Sequence, residues 1–165
     1  VAMIDSSLPT VLNHLSLYWK ERSIFSSFNT VEFIKHFEDE NGVKLPEDIS
    51  CFYSLLDGMP SIYPHDTDEE GFSFKELAMM HIKRGNYKIW DGQEFQTIHV
   101  NVLPFCDYMQ LSWEYAFVFP WSTDSQYIVC IMPTTDSLTP LCDRLSTFLN
   151  HYMDDDDVIY NYKME

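Results

Sequence analysis

The order of signals along the chain predicts an α+β domain, with helices first, a mixed or mainly antiparallel sheet next, and a closing helix packed against that sheet. Three observations carry this. Up to Gly58 the apolar residues recur at helical spacing. The later runs "IHVNVLPFC", "YAFVF" and "YIVCIM" are rich in β-branched and aromatic residues, which suit a pleated, half-buried surface. No repeat, low-complexity tract or Pro/Gly/Ser linker divides the 165 residues. They are expected to form one domain over 1–165, large enough to bury a core without disulfide or metal staples.

Pro9 suits the first turn of a helix running to about Ser23, because its missing N–H would lack a partner there anyway. Leu12, Leu15, Tyr18 and Trp19 share one face of it. Asn29 and Glu32 have capping-box spacing ahead of a second helix, which carries Phe33, Ile34 and Phe37 and stops near Asn41-Gly42. A third helix is predicted from Pro46 to Gly58, with Ile49, Phe52, Tyr53 and Leu56 on one stripe and Gly58 as its left-handed stop. The acidic loop "SIYPHDTDEEGFSF" follows and ends in a short strand, Phe72 to Phe74. "ELAMMHIK" reads as one or two helical turns. Asp91-Gly92 in "YKIWDGQEFQ" predicts a tight hairpin with both turn residues at positive φ. Polar residues at 120–126 predict that "YAFVF" and "YIVCIM" pair antiparallel. "TPLCDRLSTFLNHYM" is expected to close the fold as a helix with Leu141, Leu145, Phe148, Leu149 and Tyr152 on one face. Each such Leu or Phe contributes roughly 1.5–3 kcal/mol on burial. Asp154, Asp155, Asp156 and Asp157 then oppose the helix macrodipole, so this end is expected to fray.

Twenty-six acids against ten bases leave a formal charge of −16. Such a surface repels a nucleic-acid duplex or an anionic membrane and attracts a basic protein. The aromatics of a nucleic-acid binder are present, but its basic face is not. The chain shows no basic start followed by an apolar stretch, and no run approaches the roughly 20 apolar residues of a membrane span. A cytoplasmic protein is therefore expected. Cys51, Cys106, Cys130 and Cys142 lie far apart in apolar segments and read as reduced, packed thiols.

Familiar catalytic patterns are missing. The five glycines are never four or five residues apart, which removes the nucleophile-elbow, phosphate-loop and dinucleotide patterns. The six histidines show no HxxxH or HExxH spacing, and there is no CxxC. Cys142 and His151, nine residues apart on the predicted closing helix, would face about 180° apart. A dyad of Cys106 and His99 is left open by sequence alone. Counted from Asp66, the acidic loop places Asp68, Glu70 and Gly71 at calcium-loop positions 3, 5 and 6, but position 12 is Leu77, which cannot coordinate. The expectation is a protein with no catalytic residues, no metal and no cofactor. A hydrolase using Asp66, Asp68 and Glu70 is the remote alternative.

Four stretches, in order, resemble the SUKH superfamily, which includes fungal Smi/Knr cell-wall regulators and many bacterial immunity proteins. "VKLPEDISCFYSLLDGMP" (43–60) resembles its LP-led helix. "PHDTDEEGFSFKEL" (64–77) resembles the following loop and strand, although Lys75 stands where a Trp-Pro or similar is expected. "LPFCDYMQLSWEYAF" (103–117) resembles its strand through Phe105, Asp107, Tyr108, Ser112, Tyr115 and Ala116. "LSTFLNHYMDDDDVIY" (145–160) is similar to its closing helix and acidic tail. The resemblance spans about 30–160. It implies an immunity protein that binds and neutralises a cognate toxin, often a nuclease, and it implies no active site. The alternative within the superfamily is a regulatory scaffold of the Smi/Knr type.

Charge and resemblance converge on a basic protein partner, a toxin of nuclease type. The candidate contact residues are Asp66, Asp68, Glu69, Glu70 and Tyr63 in the loop, with Asp154, Asp155, Asp156 and Asp157 in the tail. Tyr108 and Trp113 are further candidate anchors. Asp107 and Ser112 are expected to order a turn between strands.

Overall fold

The computed structural model describes residues 5–120 and 126–164, with backbone alone at Pro120. Three helices lead: α1 (Leu8–Glu21), α2 (Val31–Asn41) and α3 (Glu47–Leu55). Six strands follow: β1 (Phe72–Phe74), β2 (Lys83–Trp90), β3 (Phe95–Tyr108), β4 (Trp113–Pro120), β5 (Ile128–Thr134) and β6 (Ser137–Cys142). Helix α4 (Leu145–Met153) closes the fold. The α+β expectation holds. The sheet is mixed, because β2 and β6 run parallel while every other pair is antiparallel.

Strand β3 determines the shape of the sheet. One edge pairs with β2 along 95–102 and with β1 along 106–108, while the other edge pairs with β4. The strands β3-β2-β6-β5-β4 therefore close into a ring of five. Side chains alternate across its wall. Tyr87, Val100, Val102, Ala116, Val118, Cys130, Met132 and Leu138 fill the inside. Leu103, Phe105, Tyr115, Phe117, Phe119, Val129 and Ile131 point outward, into the core shared with the helices. A register shift between Pro104 and Cys106 lets β3 leave the ring and take up β1.

The first helix buries Leu12, Leu15 and Trp19 as predicted and packs on α4, with Tyr18 edge-on to Tyr152 at 5.5 Å. Several local predictions are corrected. Thr30, not Asn29, caps α2 by accepting from the Phe33 N–H. The Asn29 side chain instead donates to the Tyr53 carbonyl and the Asp57 carboxylate. Phe33 is exposed, although Ile34 and Phe37 are buried. Helix α3 ends at Leu55, three residues short of Gly58. Gly58 does sit at φ +68°, but a methyl group there would lie 2.4 Å from the Lys75 carbonyl oxygen, so close backbone approach sets the residue. "ELAMMHIK" supplies only a 3₁₀ turn, Leu77–Met79, before β2 begins.

The β2–β3 hairpin is wider than predicted. Trp90 pairs with Phe95, leaving four loop residues, and only Gly92 has positive φ. Asp91 accepts from the Gln93 and Glu94 N–H groups, an Asx turn in place of the expected two-residue turn. Antiparallel pairing of β4 with β5 is as predicted; most of the intervening 120–126 stretch lies outside the described residues.

The largest correction concerns the C-terminal segment. Residues 137–142 form β6, not the start of the closing helix, so Leu141 and Cys142 are strand residues. Cys142 and His151 are thus not on one helix. Pro140 is tolerated because β6 pairs with β2 only through Ser137 and Leu138, leaving the strand beyond them an edge on that side. Leu145, Phe148, Leu149 and Tyr152 keep the buried face of α4.

Candidate functional site

The acidic loop is not one solvated cluster. Asp68 is only 8% exposed. One carboxylate oxygen accepts from the Glu70 and Phe72 N–H groups at 3.0 and 2.9 Å, and the other from the Tyr152 hydroxyl at 2.5 Å. That hydroxyl accepts in turn from the Trp19 indole at 3.1 Å. Burial pushes the Asp68 carboxyl above its ordinary pKa, and the donated hydrogen bonds pull against that. Asp68, named as a contact candidate, is in the fold a buried acid that ties the loop to α1 and α4. Asp66 is half-buried, and its carbonyl accepts from the Ser73 hydroxyl. Glu69 and Glu70 are exposed, and Glu69 pairs with Arg22 at 3.2 Å. The Arg22 guanidinium lies over the Tyr18 ring, 3.5 Å from its centroid.

The tail is ordered by its own acids, contrary to the expected fraying. Asp155 has φ +50° and accepts from the Tyr160 hydroxyl at 2.6 Å. Asp156 caps a 3₁₀ turn, Asp157–Tyr160, by accepting from the Val158 N–H, and it also pairs with His151 at 3.1 Å. Asp154, Asp155 and Asp157 remain exposed.

The fold brings loop and tail together. Burial first, then the Asp155 carboxylate, with Tyr108 and Glu70 adding, raise the Tyr160 hydroxyl's pKa above its ordinary value. Phe72, where the loop ends, lies 6.1 Å ring to ring from Tyr160, so the loop and the tail meet there. Around it stands an aromatic platform. Tyr108 stacks on Trp113 at 4.5 Å, and Tyr160 meets both rings edge-on. Tyr162 lies 5.6 Å from Trp113.

The β3–β4 turn borders this platform. Met109, Gln110 and Leu111 all have positive φ, an uncommon run for residues with side chains. As expected, Ser112 orders it. The Ser112 N–H donates to the Tyr108 carbonyl and its hydroxyl to the Met109 carbonyl at 2.9 Å. The Met109 N–H donates to Gly71, which docks the turn on the acidic loop. Met109 and Leu111 are 54% and 65% exposed. An apolar tip and an aromatic stack therefore adjoin the acidic loop and the acidic tail.

Tyr63 is 85% exposed but belongs to a different neighbourhood. Ser61 donates to Glu76, which anchors that end of the loop beside the 3₁₀ turn. The residue that sequence reading missed is Asp57. Its N–H donates to the Ser27 carbonyl, while its carboxylate accepts from Asn29 and from the Leu77 N–H. It stitches together the loops bearing exposed Phe25, Phe28, Ile62 and Met79. The Asp57-Gly58 pair inside the "LLDGMP" stretch was the available signal.

Among the described residues no group of three or more His, Cys, Asp or Glu side chains is arranged to hold a metal ion. No helix among them is long and apolar enough to cross a membrane. Cys106 is buried, while His99 donates to or accepts from Asn86 at 2.7 Å on the exposed side of β2–β3, so the two form no dyad.

The chain is thus a small α+β domain with a closing helix, an acidic loop bordering it and a partly buried LP-led helix. The model of the SMI1 / KNR4 family (SUKH-1) matches residues 29–151, and the chain belongs to that family. The search of curated proteins found no match.

Proposed function

We propose that this chain is an immunity protein. It binds a basic toxin, of nuclease type, and occludes its cationic site stoichiometrically, with no catalysis and no cofactor of its own. The observation that supports this is the contact of the acidic loop with the acidic tail, Phe72 against Tyr160 at 6.1 Å with Asp155 bonded to that phenol, beside exposed Met109 and Leu111. A nuclease grips phosphate with Lys and Arg. Carboxylates presented to that site compete for it and steer association, while apolar anchors set the dissociation rate. Membership of a family of immunity and regulatory proteins is consistent with this reading.

The test is co-expression with the toxin domain encoded beside the gene. Protection of the host and a 1:1 complex are expected. Changing Glu69 and Glu70 to Gln and Asp154 and Asp157 to Asn should slow association about tenfold at low salt and flatten its salt dependence. Failure of the pair to bind or protect overturns the reading.

A second reading, a regulatory scaffold of the Smi/Knr type, draws on exposed Phe25, Phe28, Ile62 and Met79, in segments that Asp57 and its bonds to Ser27, Asn29 and Leu77 link away from the tail. A pull-down from the native host distinguishes the two, since a scaffold returns several housekeeping partners and an immunity protein one.

A further inference from the structure

Among the described residues, one end of the strand ring is left uncovered. A cavity of about 740 Å³ begins there and extends under the starts of three helices. Ile89, Ile98, Val118 and Ile128 form its floor, at the ends of four strands of the ring. Its volume lies within the roughly 300–1,000 Å³ typical of small-molecule sites, and the mouths of β-barrels are among the places where such sites occur.

The rim is built from the first residues of α1, α3 and α4. Asp5, Glu47, Asp48 and Asp143 line it, against one base, Arg144. Two of these carboxylates are held rigidly. Asp5 accepts from Ser7 and from the Ser146 hydroxyl. Asp48 accepts from the Ile49 N–H and from the Tyr127 hydroxyl, which itself accepts from the Leu145 N–H. Asp143 pairs with Arg144 at 3.4 Å, and Glu47 is exposed at the mouth.

The sign of the rim decides the ligand. Three helix starts bring about half a positive charge each, roughly +1.5 in all. Four carboxylates and one guanidinium carry a formal −3. The carboxylates outweigh the helix ends, so the mouth favours a cation over an anion.

We propose that the open end of the strand ring is a binding site for a small organic cation, an apolar body seated on Ile89, Ile98, Val118 and Ile128 with an ammonium group held at the Glu47–Asp48 side of the rim. The site stands apart from the acidic face proposed for the protein partner and does not rest on that reading.

The experiment titrates the full chain with decylammonium, decanol and decanoate at neutral pH, following the methyl NMR signals of Ile89, Ile98 and Ile128 and the heat of binding. Decylammonium is expected to bind 1:1 and at least tenfold more tightly than decanoate, with decanol between them. Ile98→Trp should fill the cavity and abolish binding. Glu47→Lys, a change at an exposed position, should weaken decylammonium at least fivefold and leave decanol unchanged, which keeps the test decisive if the Trp variant does not fold. Equal binding of decanoate, methyl signals unmoved by all three probes, or decylammonium binding that survives both substitutions would each overturn the proposal.

Discussion

Replacing Asp68 by Asn separates a structural acid from a surface one. The Asn carbonyl oxygen still accepts from the Glu70 and Phe72 N–H groups. Its amide group, however, faces the Tyr152 hydroxyl, which already accepts from Trp19, so the phenol proton loses its acceptor. A hydrogen bond from a buried donor to a charged acceptor contributes about 1.5–3 kcal/mol, and weakening the two backbone bonds adds to the loss. Relief from burying an ionised carboxyl offsets part of it. The net expectation is a loss of about 2 kcal/mol, or a midpoint lowered by about 1 M in urea unfolding followed by tryptophan fluorescence. The Asp68 pKa is raised in the folded state. The proton-linked part of its contribution is therefore fully present below the unfolded value of 3.8 and is lost as pH rises through the folded value, leaving the hydrogen bonds as its share at pH 7. The wild type should gain on the Asn variant as pH falls through that window. A variant within about 0.5 kcal/mol of wild type at pH 7, like Glu70→Gln at an exposed site, would refute the structural role.

Other outcomes follow from the same contacts. Gly58→Ala should cost at least about 3 kcal/mol or prevent folding, because the new methyl meets the Lys75 carbonyl at 2.4 Å. Gly92→Ala, with nothing within 4 Å, should cost only about 1–2 kcal/mol for its φ of +104°; calorimetric melting compares the pair. Tyr127→Phe removes a hydroxyl shared by Asp48 and the Leu145 N–H and should lower stability by about 2 kcal/mol in urea, with no loss expected only if those groups find other partners. Burial pushes the Cys142 thiol up to about 11 and raises Cys51, Cys106 and Cys130 as well. At pH 8 a disulfide reagent should therefore label the native chain slowly and all four thiols at once in denaturant. Rapid native labelling of Cys106 would contradict the packing.

Where the sequence was misread, a local signal had two structural meanings. Thr139-Pro140 looks like a helix start, yet Pro is equally acceptable on a strand whose partner has ended, and only the β2–β6 register shows that it has. Asp91-Gly92 marks a turn under either loop length, and pairing of Trp90 with Phe95 chooses the longer one. Adjacent acids read alike in sequence. Asp68 differs from Glu69 and Glu70 because Tyr152, from the far end of the chain, reaches it.

The sequence by itself determined the class of fold, the position of most elements, the negative charge of the surface and the family motifs, because these depend on periodicity, residue chemistry and spacing within a few turns of chain. Tertiary structure alone decided that β3 bonds on both edges and closes the strands into a ring, that the loop and the tail meet where Phe72 faces Tyr160, and that, among the described residues, three helix starts gather over one end of the ring. Each of these joins segments distant along the chain. Their meeting depends on how the whole core packs, and no local pattern of residues encodes it.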